Sequence, residues 1–316
     1  MTFTLASPET VNSISIVHAG ALGDTLLLCP LLRGIAKRFP QARRHVVTRS
    51  EFGRLLVHLQ VAEDYADGDA PEATALFAAG ALEYAPRRPT WLNCDVLISM
   101  VSSGSDAWAE NVRAICKSDS VLFVNPRPSS NWQGHAVEFL QAQLQPLDIP
   151  AVAAVPRLNI NGPVLLHPGS GGRAKCWPAE QFLTLAHRLA SADIAVEIIL
   201  GEVELDRWSC GDIAAFIAAF AVHQHPSLCE LADRLAAARA YIGNDSGVSH
   251  LAAEMGIPSL VLFGPSPANV WRPLGPQVQV AQAPAGDWAA LSVAAVEAHV
   301  QRLLAKAGTS EANSGV

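Results

Sequence analysis

The ten residues YIGNDSGVSH at 241–250 constrain this chain most, because they read as a buried strand that runs without a spacer into a helix. Tyr241, Ile242 and Gly243 close the strand. Asp245 is placed to cap the helix, and Ser246 and Gly247 open it with little side chain over the first free amides. Such a helix start takes anions, phosphate above all, because its N–H groups point outward and its dipole favours negative charge. His250 follows Ser246 by four residues and Gly247 by three, so on a helix it shares their face and can bond the same ligand. An ordinary capped helix with a surface histidine uses the same residues, and this segment alone leaves both readings open.

A strand feeding a helix in this way belongs to a parallel sheet, and β and α signals alternate along the whole chain. In the first half the spacing predicts strands at 14–17, 45–48, 96–99 and 121–124, with helices at 25–38, 70–80, 106–116 and 133–145. In the second half strands are predicted at 164–167, 195–200, 240–243 and 259–263, with helices at 179–190, 205–221, 228–239 and 246–255. The stretch 146–163 carries Pro150, Pro156 and Pro163 with weak periodicity and reads as a linker. With 316 residues, half of them hydrophobic, the chain has material for two cores. The expected organisation is an N-terminal Rossmann-like domain at 1–150, a second at 160–287, a final helix at 288–306 and a disordered tail at 307–316.

Charge and hydropathy exclude several functions. The net charge of −7 offers no basic field for nucleic acid. No basic segment followed by an apolar run opens the chain, and the longest apolar run, IAAFIAAFAV at 213–222, is half a membrane span. A soluble, cytoplasmic protein is the expectation. The six cysteines, Cys29, Cys94, Cys116, Cys176, Cys210 and Cys229, form no C-x-x-C pair or metal-ligand spacing and read as reduced structural residues.

Two further loops fall just past strand ends, where doubly wound sheets place ligands. In HAGALGD at 18–24, Gly20 and Gly23 permit a tight turn and let a ligand approach the backbone, which makes Gly23 a candidate binding residue, and Asp24 stands at the helix start as a general base or a plain cap. In HPGSGGRAKCW at 167–177, Ser170, Gly171 and their neighbours free the backbone for hydrogen bonding, and Lys175 supplies a point charge for a pyrophosphate. This is no P-loop: Ala174-Lys175-Cys176 lacks the glycine and the magnesium-binding hydroxyl. The first loop has His18 where a dinucleotide fingerprint opens with glycine, and 243–247 has its serine one place late for a nucleophile elbow. Asp67-Gly68-Asp69 copies the acidic triplet of metal-dependent sugar transferases, but after Glu63-Asp64 it reads as a solvated loop. No metal site is expected.

Three blocks in this order, GALGDTLLLCPLLRGIAKRFP at 20–40, HPGSGGRAKCWPAEQF at 167–182 and IGNDSGVSHLAAEMGIPSLVLFGPS at 242–266, resemble glycosyltransferase family 9, the heptosyltransferases. The resemblance covers the chain in order and is strongest in the second half. It implies a GT-B fold, two Rossmann-like domains facing across a cleft, with the acceptor held mainly by the first, the sugar nucleotide by the second, and the last helix crossing back. Residue by residue it makes Asp24, preceded by Gly23, the catalytic base, and Ser170, Gly171 and Lys175 the donor-phosphate loop. Asp245, Ser246, Gly247 and His250 become the second phosphate-binding turn. Glu204 in LGEVELDR matches the acidic residue that hydrogen-bonds the donor ribose; Glu202, two residues away, can serve instead, and helix-terminal charge is the other role open to Glu204.

The implied chemistry is metal-independent displacement with inversion, moving heptose from ADP-heptose to a lipopolysaccharide-core or related glycan hydroxyl. Lys175 would stabilise the departing diphosphate, no cofactor is needed, and peripheral contact with the inner membrane surface is compatible. The first domain departs from such an enzyme in having an acidic, proline-containing stretch at 57–88. Five of its basic residues, Arg33, Lys37, Arg38, Arg43 and Arg44, group around the first helix and its exit as a solvated face or as an acceptor or membrane contact. A non-catalytic sugar-nucleotide or glycan-binding module is the alternative of another class, and a hydrolase or epimerase on the same fold is a third. Retention of Asp24 beside the donor loop favours transfer.

Overall fold

The computed structural model describes residues 8–80, 88–116 and 121–312, and its contacts divide the chain into two units, Met1–Val152 and Ala153–Val316. The division falls inside the proline-bearing stretch 146–163.

In the first unit the chain runs β1 (Ser13–Val17), α1 (Leu22–Leu26), α2 (Cys29–Arg38), β2 (Arg43–Thr48), α3 (Ser50–His58) and β3 (Asp64–Asp67). It continues through α4 (Pro71–Thr74), β4 (Val96–Ser99), α5 (Ala107–Ile115), β5 (Val121–Phe123) and α6 (Ala136–Gln143). All strands are parallel in the order β3-β2-β1-β4-β5, with Val17 level with Val47 on one side and Ser99 on the other. The predicted helix 25–38 is two pieces, since Pro30 sits in the first turn of α2 and has no N–H with which to continue α1. The acidic stretch read as a loop includes an edge strand: Asp64–Asp67 pairs with His45–Thr48 on one side only, where charged side chains meet water.

The second unit runs β6 (Val164–His167), α7 (Ala179–Ser191), β7 (Val196–Leu200), α8 (Glu202–Arg207), α9 (Cys210–Ala219), β8 (Ala221–Gln224) and α10 (Leu228–Ala237). Then follow β9 (Ala240–Asn244), α11 (Gly247–Glu254), β10 (Ser259–Phe263), α12 (Ala268–Trp271), β11 (Val278–Gln282) and α13 (Val293–Ala312). Its parallel sheet has the order β11-β10-β9-β6-β7-β8. The predicted helix 205–221 is split, because Ser209 accepts a hydrogen bond from the Asp212 amide and starts a new helix.

Numbered within each unit, both sheets follow the Rossmann order, and chain direction reverses about the first strand, between β1 and β4 and between β6 and β9. The loops after β1, β6 and β9 therefore open at the two switch points, where a crevice forms between diverging connections. The core of the second unit includes Val164, Leu166, Leu200, Ile242, Leu260 and Leu262 from its strands, and Trp177 and Phe182 beside them. The last helix starts at Val293 rather than 288 and continues to Ala312, into the stretch where a tail is predicted; residues 313–316 lie outside the described residues. Val296, Val300, Leu303 and Leu304 of that helix are buried in the core of its own unit.

Candidate functional site

At the head of the second sheet, one buried side chain joins the two loops. Asn244, the last residue of β9, is fully buried. Its Nδ2 donates to the carbonyls of Pro168 (2.8 Å) and Gly169 (3.3 Å), and its Oδ1 accepts from the Trp177 amide (3.0 Å). Trp177 is itself buried and its indole N–H donates to the Leu291 carbonyl at 2.9 Å. Both ends of the loop that carries Ser170 and Lys175 are thus fixed to the strand that leads into α11. Ser170 Oγ donates to the Asp245 carbonyl at 2.6 Å, and Lys175 Nζ lies 2.7 Å from Asp245 Oδ2.

Asp245 is consequently not the helix cap. Ser246 is, its hydroxyl accepting from the Ser249 amide, while the Asp245 carboxylate turns back to hold the Lys175 ammonium. The amides of Gly247 and Val248 open α11 with no carbonyl of the helix before them. Gly171 and Gly172 face open space, so a group of phosphate size meets no side chain there. His250 lies buried within α11. The ammonium, the hydroxyls of Ser170 and Ser246 and the start of the helix are gathered at one switch point.

Glu204 is buried beneath the loop that carries Ser170 and Lys175. It is 2% exposed, accepts from the Gly201 amide at 2.8 Å and stands 3.6 Å from His167 Nε2. A Cβ on Gly169 would fall 1.8 Å from Glu204 Oε1, so the carboxylate fills the space directly against the loop that carries Ser170 and Lys175. Burial works to raise its pKa, but the hydrogen bond and charge of His167 and the Gly201 amide outweigh it and hold the carboxyl below its ordinary range. His167 Nδ1 lies 3.4 Å from both Ser246 Oγ and Tyr241 Oη, and Tyr241 Oη lies 3.0 Å from Ser249 Oγ. A buried polar chain therefore runs from Glu204 through His167 to the cap of α11. Glu202 is exposed, its carboxylate 3.8 Å from His225.

In the first unit Asp24 is the third residue of α1. Its Oδ2 accepts from the Ala21 amide at 3.3 Å and lies 3.4 Å from Arg127 Nη2. Gly23 precedes it within α1, and Gly20 is obligatory, since a Cβ there would stand 2.4 Å from His18 Cε1 and 2.7 Å from Asp24 Cβ. Sequence reading missed Arg127, 103 positions away, His18 as more than a missing glycine, and Asn244 and His167 as the fasteners of the second unit. A buried asparagine closing a strand is the signal that was available for Asn244. The basic group on α2 and β2 is partly consumed: Arg44 pairs with Glu63, Arg38 with Asp148, and Arg33 donates to the Val152 carbonyl.

His18 yields a pH prediction. Its Nδ1 accepts from the Gly20 amide and lies 3.3 Å from Thr25 Oγ1. Burial lowers its pKa from 6.5 to about 4, Asp24 opposing and Arg127 assisting. The folded state then binds fewer protons than the unfolded chain between these values, so stability falls as pH drops from about 6.5 to about 4, by about 3 kcal/mol. His18→Asn keeps an acceptor and removes the titration. Urea unfolding at about pH 7 and about pH 4.5 is expected to show a smaller acid loss in the variant; equal losses would place the titrating group elsewhere.

Two consecutive Rossmann-like units with ligand loops at their switch points are the units of a GT-B glycosyltransferase. The chain belongs to glycosyltransferase family 9, the heptosyltransferases, whose family model matches residues 126–298. Lipopolysaccharide heptosyltransferase 1 of Pseudomonas aeruginosa is 33% identical over 148 residues, a segment that spans 43% of this chain and 41% of that protein. Among solved structures, the E. coli heptosyltransferase WaaC with ADP matches with a TM-score of 0.70 at 19% identity, covering 92% of this chain and 99% of that one. A family 9 glycosyltransferase of Veillonella parvula matches with a TM-score of 0.72 at 16% identity, covering 95% and 99%. At these identities the structural likeness is one of fold. No helix among the described residues is long and apolar enough to cross a membrane.

Proposed function

We propose that the chain transfers a sugar, heptose from ADP-heptose, to a hydroxyl of a glycan acceptor of the lipopolysaccharide-core type, by a single displacement that inverts the anomeric carbon. The observation that carries the donor side is the Lys175–Asp245 pair at 2.7 Å beside the opening of α11. The ammonium, the hydroxyls of Ser170 and Ser246 and the first amides of the helix supply positive potential where a leaving diphosphate gains charge, so they act most strongly in the transition state. That compensation requires no metal. The heptose and adenine follow the family: WaaC has been solved with ADP and with ADP-2-deoxy-2-fluoro heptose. Asp24 takes the proton of the acceptor hydroxyl, and Arg127 places a positive charge beside it. Glu204 acts from below the loop, through Gly169 and His167, while Glu202 is the exposed carboxylate available to a ribose. The reaction takes place in the cytoplasm, with the acceptor presented at the inner membrane surface.

Lys175→Ala is expected to weaken ADP binding by about 1.5 to 3 kcal/mol, the range of a hydrogen bond to a charged group, and it also leaves the Asp245 carboxylate uncompensated near the phosphates. Calorimetry with a folded variant tests this, and unchanged affinity would remove Lys175 from the donor site. A thermal-shift panel of ADP, UDP, GDP and dTDP, each with its sugars, identifies the donor, because only a ligand of the native state raises its stability.

A further inference from the structure

Three hydroxyls and one imidazole meet beneath the start of α11, and the hydrogens they possess fix which way each bond runs. The Asn244 carbonyl can only accept, so the hydrogen of Ser249 Oγ goes to it. Tyr241 Oη, 3.0 Å from Ser249 Oγ, is then the donor of that pair. Burial pushes the Tyr241 phenol well above its ordinary range, so this hydrogen stays in place. At the other end Glu204, held below its ordinary range, is a carboxylate, and its Oε2 faces His167 Nε2. The hydrogen of a neutral ring therefore sits on Nε2, and Nδ1 is left as an acceptor. Of the two hydroxyls that lie 3.4 Å from Nδ1, Tyr241 has already committed its hydrogen, and Ser246 has one to give.

With His167 neutral, Ser246 Oγ thus turns its hydrogen inward and presents lone pairs to the Ser249 amide and to the crevice. A phosphate oxygen also offers only lone pairs, so the two repel. A second proton on the ring reverses the bond: Nδ1–H donates to Ser246 Oγ, and the hydroxyl hydrogen is released toward the crevice. We propose that His167 is a positioning residue for the donor diphosphate, and that nucleotide binding draws one proton from solvent onto its Nδ1. The inference rests on the reading of the α11 start as the diphosphate site. The buried imidazolium is compensated by the Glu204 carboxylate on one side and hydrogen-bonded to Ser246 on the other. The other charged and titratable groups of the surrounding elements are differently placed. Lys175 is paired with Asp245, and Arg173 of the same loop is exposed. Burial and the charge of Glu204 push the Cys176 thiol up to about 11, so it stays protonated. Glu202, Asp206 and Arg207 of α8 are exposed, and His250 and Glu254 are the remaining titratable groups of α11.

Calorimetry of the full chain with ADP, and with inorganic pyrophosphate, which calls on the same groups without a base or ribose, tests the inference. Runs at about pH 7.5, above the ordinary range of histidine, in buffers of different ionisation enthalpy count the protons taken up. The wild type is expected to bind both ligands with net proton uptake, so its affinity strengthens as pH falls, by up to about tenfold per pH unit. His167→Gln keeps a donor for Glu204 and an acceptor for Ser246 but cannot titrate, and is expected to lose that slope. Ser246→Ala keeps the titrating ring and removes the hydroxyl that it turns, and is expected to lose the uptake as well. The ligand's own titration is common to all three proteins and cancels in the comparison. Uptake undiminished in His167→Gln would assign the proton elsewhere, His250 first, and uptake retained in Ser246→Ala would make His167 a remote charge; either overturns the proposal. Wild-type binding with no uptake beyond the ligand's own overturns it without any variant. If neither ADP nor pyrophosphate binds, the donor-site reading itself fails and carries this inference with it.

Discussion

Asp24→Asn is expected to lower turnover by about 10²- to 10⁴-fold while leaving donor affinity nearly unchanged. A carboxylate acting as base contributes mainly in the transition state, and the groups proposed to hold the donor all reside in the other unit. The structure makes the asparagine variant informative, because Asp24 both caps and faces the positive charge of Arg127. The amide oxygen of asparagine can still accept from the Ala21 amide, so α1 keeps its start. The contact with Arg127 loses its charge, but Arg127 is 71% exposed and such pairs contribute little to stability. The variant should therefore unfold within about 1 kcal/mol of the wild type. Transfer at close to the wild-type rate under saturating donor and acceptor would leave Asp24 as a cap only, and would sink the base without touching the donor site.

The second large effect is on stability. Glu204→Ala is expected to cost about 3 kcal/mol in urea unfolding, because it strips a buried partner from His167 and from the Gly201 amide and leaves a void under Gly169. Glu204→Gln restores the acceptor for Gly201 and the volume, and should recover more than half of the loss. If the carboxylate instead reached the ribose, the alanine variant would fold normally and lose affinity for ADP but not for pyrophosphate. A loss of stability shared by neither variant would show that the buried pair contributes nothing.

Legibility in the sequence followed burial. Strands 96–99, 164–167 and 259–263 are found where the apolar runs place them, since strands covered on both faces are nearly continuous Val, Leu and Ile. The edge strands Asp64–Asp67 and Ala221–Gln224 were not visible, because half-exposed strands carry polar residues and are strands only by virtue of their neighbour. In the second unit the residues of the two loops could be grouped from their positions after strands, and the structure brings Ser170, Lys175, Asp245 and Ser246 together. What spacing could not supply was direction. Asp245 and Ser246 are both good caps, and only the arrival of Lys175 from 70 positions away decides which of them caps. Nor could spacing show that the absence of a side chain at Gly169 leaves room for the Glu204 carboxylate to pack against it. Arg127 had no local signal at all.

The three bonds of Asn244 have a thermodynamic corollary. A phosphate loop rich in glycine would ordinarily be an ensemble that freezes when nucleotide arrives, with an unfavourable entropy and a slow, structure-coupled arrival. Here both ends of the loop are fastened to β9 by one buried side chain, so much of that ordering is built into the fold. Nucleotide capture should then resemble docking to a fixed receptor, with a modest heat-capacity change and association kinetics governed by encounter. Replacing Asn244 by leucine would turn the same loop into an induced-fit element, in which the affinity lost appears as entropy rather than as missing contacts.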